Sequence, residues 1–112
     1  AVAGYTTTDT VPAGIALPDG VAGTLPPAVA SHFAAVVLFG TPSDGFLNLV
    51  AHDAPPITIG HLFTAKTLEL CNPGDPICFP GGRDRAAHSA YKSNGTADQA
   101  ADFAAHALAT RL

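Results

Sequence analysis

Four side chains capable of chemistry lie close together in the second half of the chain. The stretch CNPGDPICFPGGRDRAAH runs from Cys71 to His88 and holds both cysteines, Asp75 in a Gly-Asp-Pro turn, and one of the five histidines. Hydrolysis through a serine nucleophile needs an imidazole that takes the hydroxyl proton and an ionised carboxylate that holds the imidazole in the right tautomer. Asp75 and His88 are therefore a candidate acid and base. A plain turn beside an inert surface histidine is the alternative that these residues leave open.

The two cysteines are seven positions apart, a spacing that does not suit zinc, which usually takes C-x₂₋₄-C pairs and four ligands in all. A local disulfide is favoured because Asn72, Pro73 and Gly74 fold the intervening segment back on itself. Closing a loop of about eight residues restricts the unfolded chain by roughly 2.5 kcal/mol. A disulfide indicates an oxidising compartment and hence an exported protein. Two free buried thiols are the other interpretation of the same spacing.

The composition is that of a folded domain. Of the 112 residues, 47% are hydrophobic and 12% are charged, and the formal net charge is -4. Five Lys and Arg residues argue against a nucleic-acid or anionic-membrane surface. No apolar run approaches the roughly eighteen residues of a membrane-spanning helix. Residues 1–112 are thus predicted to form a single domain with no nucleic-acid partner and no transmembrane segment.

Hydrophobic patterns predict two strands and a terminal helix. The continuous apolar run from Ala34 to Gly40 is typical of a strand buried on both faces of a parallel sheet. Polar and apolar residues alternate from Lys66 to Cys71, which indicates a second strand that leads into the cysteine loop. Thr96 and Gln99 have the spacing of a capping box at the start of the last helix. Between the strands the chain is predicted to be irregular, with residues 46–50 as its one apolar cluster.

Strands and helices in this style indicate the α/β class. Ligands of open α/β sheets bind where loops leave the carboxyl ends of the strands, and Asp75 follows the second strand closely. The order Asp then His is the one used by α/β-hydrolase-like enzymes, in which the serine comes first. Two parallel strands leave both faces and both edges uncovered, so the chain is expected to be the second half of a larger domain.

Several motifs together resemble one enzyme family. They are C-N-P-G-D-P-I-C followed by G-x-x-x-x-A-H-x-x-Y, the strand end AAVVLFGTPS, and the segment APPITIG. These motifs are similar to the C-terminal half of the cutinase family of serine esterases, especially its secreted actinobacterial members. The resemblance implies that Asp75 is the triad acid, His88 the triad base and Cys71–Cys78 the disulfide of the active site. It also implies an α/β-hydrolase-like three-layer sandwich with a parallel sheet, incomplete at the N-terminus, so that residues 1–112 are a single partial catalytic domain.

The nucleophile of such an enzyme is not at a matching position. The family's serine stands in a G-Y-S-Q-G elbow followed by small residues, and the start AVAGY resembles the helix after that elbow. The resemblance therefore places the serine a few residues before Ala1, together with the loop that forms the oxyanion hole. Ser43 in T-P-S-D-G is the alternative, but Thr41 replaces the first glycine of G-x-S-x-G and Pro55-Pro56 interrupt any long helix after it. Thr6 is weaker, because nothing places it on a strand-to-helix elbow.

These observations predict a secreted serine esterase of the cutinase type that hydrolyses carboxylic esters of lipids or polyesters. Its partners are the ester substrate and the N-terminal part of the same enzyme, without which this chain is expected to be inactive; no cofactor is needed. Ile77, Phe79 and Pro80 lie between acid and base and are candidates for an apolar rim that receives an acyl chain. The alternative is a non-enzymatic exported fragment or binding module with a vestigial Asp75–His88 pair. The histidines at positions 32, 52, 61 and 106 are scattered, so a three-histidine metal site is a minor possibility and no metal is predicted.

Overall fold

Two parallel strands form the centre of the computed structural model, which describes residues 25–50 and 57–111. Strand β1 (Val36–Phe39) pairs with β2 (Thr67–Leu70), with Val36 opposite Thr67 and Phe39 opposite Leu70. The pairing extends to Gly40, whose N–H donates to the Leu70 carbonyl at 2.9 Å. Since parallel strands end at the same edge of a sheet, the loops after β1 and β2 meet there.

Helices accompany the sheet along the described ranges. The α-helices are α1 (Pro27–Ala30), α2 (Asp44–Val50) and α3 (Thr96–Ala109), and Thr64–Lys66 and Arg85–Lys92 are 3₁₀ helices. Helix α3 contacts both strands and the 3₁₀ helix Arg85–Lys92. No helix in the described part of the chain is both long and apolar enough to cross a membrane. The arrangement of helices on a parallel sheet is that of the predicted α/β class.

A small hydrophobic core lies between α1 and the segment that leads into β2. Leu25, Ala30 and Phe63 are its buried members, and the rings of Phe33 and Phe63 meet edge to face with centroids 5.8 Å apart. The Lys66 Nζ lies 5.3 Å from the centre of the Phe63 ring and donates to the Ala30 carbonyl at 2.8 Å. The core therefore fixes the start of β2 against α1.

The burial of β1 differs from the prediction. Its residues are half-buried rather than buried on both faces, and Phe39 is 42% exposed. Strand side chains point to the two faces of the sheet and are buried only where other elements cover those faces. In the described ranges, α3 is the helix with several contacts to both strands.

Two local predictions also prove wrong. The apolar residues 46–50 belong to α2 rather than to an irregular segment, because Ser43 Oγ caps this helix by accepting from the Phe46 N–H at 3.2 Å. Thr96 forms no capping box with Gln99. Gly95, with a φ of 89°, is the N-cap of α3, and the Thr96 hydroxyl donates instead to the Tyr91 carbonyl at 2.7 Å.

Candidate active site

The loop between the cysteines holds Asp75 away from solvent. Cys71 and Cys78 form the predicted disulfide, with Cα atoms 5.9 Å apart. Within the loop, the Asp75 N–H donates to the Asn72 carbonyl at 3.0 Å, and the Asp75 carbonyl accepts from the Phe79 N–H at 2.9 Å. Asp75 itself is 0% exposed. A carboxylate buried to this degree has to be hydrogen-bonded or neutralised, so its partners decide its charge.

Three groups donate to the Asp75 carboxylate. The Ile77 N–H donates to Oδ1 at 2.8 Å, the Tyr91 hydroxyl donates to Oδ2 at 2.5 Å, and Nδ1 of His88 lies 2.8 Å from Oδ2 and 3.0 Å from Oδ1. Burial by itself raises the pKa of the Asp75 carboxyl. The hydrogen bonds from Tyr91, His88 and the Ile77 amide outweigh that effect and hold the pKa below its ordinary value of 3.8. Asp75 is therefore ionised at neutral pH.

His88 presents one ring nitrogen to Asp75 and leaves the other open. It lies on the 3₁₀ helix Arg85–Lys92, which Asp84 caps by accepting from the Ala86 N–H at 3.1 Å. Because an ionised carboxylate can only accept, the proton between His88 and Asp75 belongs to Nδ1. In the neutral imidazole Nε2 then carries the lone pair, and the hydrogen bonds of the His88 ring to the described residues are made by Nδ1. The side chain is 45% exposed, so this pair can act as a general base with a carboxylate behind it.

Asn72 ties the cysteine loop to the helix that carries His88. Its Nδ2 donates to the Ala87 carbonyl at 2.7 Å, its Oδ1 accepts from Asn94 Nδ2 at 2.7 Å, and its backbone N–H donates to the Tyr91 hydroxyl oxygen at 3.1 Å. The residue is buried, with 4% exposure. These bonds fix the separation between the acid and the base, since they join the loop and the 3₁₀ helix at several points.

Strand β1 reaches the pair through Gly40. This glycine has a φ of +64°, and a Cβ at its position would lie 2.8 Å from Cε1 of His88 and 3.2 Å from Oδ2 of Asp75. Both the left-handed backbone and the close approach require glycine at this position. The carboxyl end of β1 therefore forms one wall of the site.

Nearly the whole chain matches one protein family. The family model described as Cutinase covers residues 2–108. The chain belongs to the cutinase family. That assignment confirms the family and the α/β class inferred from the sequence. No solved structure matches the chain.

Curated relatives of the chain include mycobacterial esterases. It is 47% identical over 108 residues to the probable carboxylesterase Culp5 of Mycobacterium tuberculosis, which covers 96% of this chain and 59% of the relative. Identity to the carboxylesterase Culp1 of Mycobacterium bovis is 50% over 84 residues, covering 75% of this chain and 38% of the relative. Identity to the phospholipase Culp4 of M. tuberculosis is 46% over 81 residues, covering 72% and 32%. The chain thus spans at most 59% of the length of these three relatives.

The predicted rim residues take different positions around the site. Phe79 is 44% exposed, Pro80 is exposed, and Ile77 is half-buried next to the carboxylate. The Ile77 carbonyl also accepts from the Ser43 N–H at 2.9 Å, so this residue joins the cysteine loop to the start of α2. Contact of these three side chains with a substrate stays a prediction.

The remaining candidates are Ser43, Thr6 and the other histidines. Ser43 Oγ is engaged as the cap of α2. Thr6 and His52 lie outside the described residues. Within residues 25–50 and 57–111, no three His, Cys, Asp or Glu side chains come together as metal ligands.

Sequence reasoning missed three residues of this cutinase-family site, namely Gly40, Asn72 and Tyr91. For one of them, Tyr91, the sequence contains a spacing that indicates its position. Tyr91 follows His88 by three positions, and a 3₁₀ helix has three residues per turn, so both side chains fall on the same face of Arg85–Lys92. The H-x-x-Y spacing would therefore have indicated Tyr91 as a neighbour of His88, had the helix type been known.

Proposed function

We propose that this chain supplies the general base and its supporting carboxylate to a serine ester hydrolase of the cutinase type. The observation that carries the proposal is the 2.8 Å contact between the buried Asp75 carboxylate and Nδ1 of His88, which leaves Nε2 available. Membership of the cutinase family and the names of the relatives, carboxylesterase and phospholipase, support a carboxylic ester as the substrate. Esters of lipids or polyesters are the class that we propose.

The proposed mechanism assigns a role to each atom of the pair. A serine hydroxyl attacks the ester carbonyl while Nε2 of His88 takes its proton, and Asp75 stabilises the imidazolium that forms. The imidazolium then protonates the departing alkoxide, which leaves an acyl-serine. Water attacks the acyl-serine with Nε2 as base again, and the carboxylic acid is released. No step uses a cofactor.

The nucleophilic serine is proposed to lie in sequence that precedes Ala1 in the full protein. Ser43 is a poor substitute because its Oγ accepts the Phe46 N–H at 3.2 Å and so holds the first turn of α2. The partial coverage of the relatives, 59% of Culp5, is consistent with a nucleophile carried by another part of the enzyme.

Substrate contacts and location complete the proposal. The exposed Phe79 and Pro80, with Ile77, whose N–H donates to the Asp75 carboxylate, offer apolar surface for an acyl chain. The Cys71–Cys78 disulfide supports export, because such bonds persist in oxidising compartments.

The test is hydrolysis of p-nitrophenyl butyrate by the full coding sequence. His88→Gln and Asp75→Asn are expected to lower turnover roughly a thousandfold or more. His106→Gln changes an exposed histidine of α3 and serves as the matched control, with turnover unchanged within about twofold. Retention of turnover by His88→Gln would exclude the proposed function.

The chain of 112 residues alone is expected to give negligible turnover. Turnover by this chain that Ser43→Ala abolishes would overturn the placement of the nucleophile. A full coding sequence that has no G-x-S-x-G ahead of Ala1 and no esterase activity would favour the exported binding module instead.

A further inference from the structure

The Tyr91 hydroxyl lies at the centre of a buried hydrogen-bond network. Its oxygen is 2.5 Å from Oδ2 of Asp75, 3.1 Å from the backbone nitrogen of Asn72 and 3.4 Å from Sγ of Cys78. Tyr91 is 9% exposed. Burial and the hydrogen bond to Asp75 raise the pKa of the Tyr91 phenol above its ordinary value of 10.0, so the hydroxyl keeps its proton at neutral pH.

The direction of each hydrogen bond of the Tyr91 hydroxyl follows from which atoms carry a proton. The Asn72 N–H can only donate, so the Tyr91 oxygen accepts there and its single proton goes elsewhere. The two remaining neighbours are an anionic oxygen at 2.5 Å and a disulfide sulfur at 3.4 Å, which is a weak acceptor. The phenol therefore donates to Oδ2 of Asp75, the same oxygen that lies nearest to Nδ1 of His88.

The aromatic ring of Tyr91 also contacts the base directly. The rings of Tyr91 and His88 are edge to face, with centroids 6.2 Å apart and an interplanar angle of 88°. Tyr91 also meets the ring of Phe39, at the end of β1, with centroids 5.5 Å apart. One side chain thus touches both members of the pair and holds them against the sheet.

We propose that Tyr91 is a positioning residue of the active site, which orients the Asp75 carboxylate and withdraws part of its negative charge from His88. The proposal rests on the function proposed above. Among the described residues, the titratable side chains in contact with Asp75 are His88 and Tyr91, both from the 3₁₀ helix. The other close neighbours of the carboxylate are backbone groups: the Ile77 N–H of the cysteine loop and Gly40 at the end of β1.

This role predicts opposite shifts of the pH profile when the hydroxyl is removed and when it is made a stronger donor. Removing it leaves the carboxylate with more of its charge directed at the imidazole, which favours the protonated base. The acid limb of the pH profile of kcat/KM then moves to higher pH. Strengthening the hydroxyl as a donor draws more charge away from Oδ2, and the same limb moves to lower pH. A purely structural contribution of Tyr91 lowers stability in both cases and shifts the limb in neither.

The experiment compares two variants of the full coding sequence with the parent enzyme. Tyr91→Phe keeps the ring contacts with His88 and Phe39 and removes only the hydroxyl. Site-specific 3-fluorotyrosine at position 91 keeps the hydroxyl and makes it a stronger donor. For Tyr91→Phe we expect kcat to fall roughly tenfold, KM to stay within about twofold, and the acid limb to rise by roughly half a pH unit. For 3-fluorotyrosine we expect the limb to fall by a smaller amount.

Stability and the proposed function are controlled separately. Thermal unfolding of each variant is measured alongside, and the 3-fluorotyrosine enzyme still decides the matter should Tyr91→Phe not fold. Superimposable pH profiles for the parent and the folded variants, with His88→Gln inactive, would overturn the role of Tyr91 alone. An active His88→Gln enzyme would overturn the proposed function, and the role of Tyr91 with it.

Discussion

The variant Gly40→Ala tests whether β1 sets the position of the base. The added methyl group would lie 2.8 Å from Cε1 and 3.0 Å from Nδ1 of His88. Carbon and nitrogen atoms repel strongly at these distances, so something has to move. The His88 side chain is 45% exposed and can swing outward, whereas Asp75 is fully buried and is also held by the Ile77 N–H and the Tyr91 hydroxyl. We therefore expect the methyl group to push the imidazole away from the carboxylate and leave the rest of the fold intact.

Alanine variants of other glycines separate two contributions to the loss of stability expected for Gly40→Ala. An alanine in the left-handed region costs about 1 kcal/mol in backbone energy. Gly81 and Gly95 also have positive φ, but an added Cβ meets no atom within 4 Å at either position, so their alanine variants carry this cost alone. Gly40→Ala in addition loses a hydrogen bond to a buried charge, worth about 2 kcal/mol. The free energy of unfolding should fall by about 1 kcal/mol in each control and by about 3 kcal/mol in Gly40→Ala.

Denaturant unfolding measures these differences, and proton NMR reports the contact itself. An imidazole N–H bound to a carboxylate gives a low-field signal, which should be present in the parent and in both controls and absent in Gly40→Ala. Under the proposed function, ester turnover by the full coding sequence should fall about a hundredfold for Gly40→Ala, the size expected for a displaced general base, and stay within about twofold for Gly81→Ala. Equal stability of Gly40→Ala and Gly81→Ala, with the low-field signal kept in both, would refute the claim that β1 crowds the imidazole.

Three further outcomes are expected. The pKa of Asp75 is lower in the folded chain than its ordinary value of 3.8, so the unfolded chain takes up the proton first as pH falls. The stabilisation is full above about pH 4 and lost below it, and urea midpoints between pH 2 and 6 should show this fall in the parent and not in Asp75→Asn. Replacing both Cys71 and Cys78 by serine should lower the free energy of unfolding by roughly 2.5 kcal/mol, and an unchanged urea midpoint would contradict the view that the loop is held by the disulfide. Asn72→Ala leaves the buried Ala87 carbonyl without its donor and should lower the free energy of unfolding by about 3 kcal/mol, against about 1 kcal/mol for Asn94→Ala at its exposed partner. Equal losses in thermal unfolding would argue against Asn72 as the residue that ties the cysteine loop to the helix of His88.

The strands could be predicted because their patterns are local. The apolar run 34–40 and the alternating segment 66–71 each contain the observed strand with no more than two extra residues at either end. The exposure of Phe39 could not be predicted in the same way. How deeply a strand is buried depends on the elements packed beside it, and a run of apolar residues carries no information about those neighbours.

Helix α2 escaped prediction because it is short. It has seven residues, of which Leu47 alone is buried, so it offers too few positions for a helical period to stand out. Its start is held by Ser43, which lies in a Gly- and Pro-containing segment: Oγ accepts from the Phe46 N–H at 3.2 Å, and the carbonyl accepts from the Leu47 N–H at 2.9 Å. The T-P-S-D-G pattern suggests a nucleophile at Ser43, whereas its role as the cap of α2 explains both its position and the helix that follows.

The site was predictable to the extent that it is contiguous in the sequence. Asp75, His88 and both cysteines fall between positions 71 and 88, so their order along the chain made Asp75 and His88 a candidate pair. The plain-turn alternative stayed open on that evidence, and only the resemblance to cutinases assigned the roles of acid and base. Gly40 was not predictable, because its approach depends on the register of β1 against β2. The pairing of Phe39 with Leu70 brings the residue after β1 level with the first cysteine, and a shift of the strands would withdraw it.

Short-range and long-range contacts thus have different tasks in this site. The bonds of Asn72 to Ala87, Tyr91 and Asn94, with the disulfide, close the segment 71–94 on itself and set the direction of the base with respect to its carboxylate. Closing so short a segment costs little chain entropy, so most of the contacts that orient this pair come from residues close to it in sequence. The sheet register supplies the wall at Gly40 and hence the lateral position of the imidazole. Under the proposed function, the nucleophilic serine comes from another part of the protein and meets a base that is oriented by the cysteine loop and positioned by the sheet. Variants of the cysteine loop should therefore alter the basicity of His88. Variants of β1 should alter the alignment of His88 with the serine.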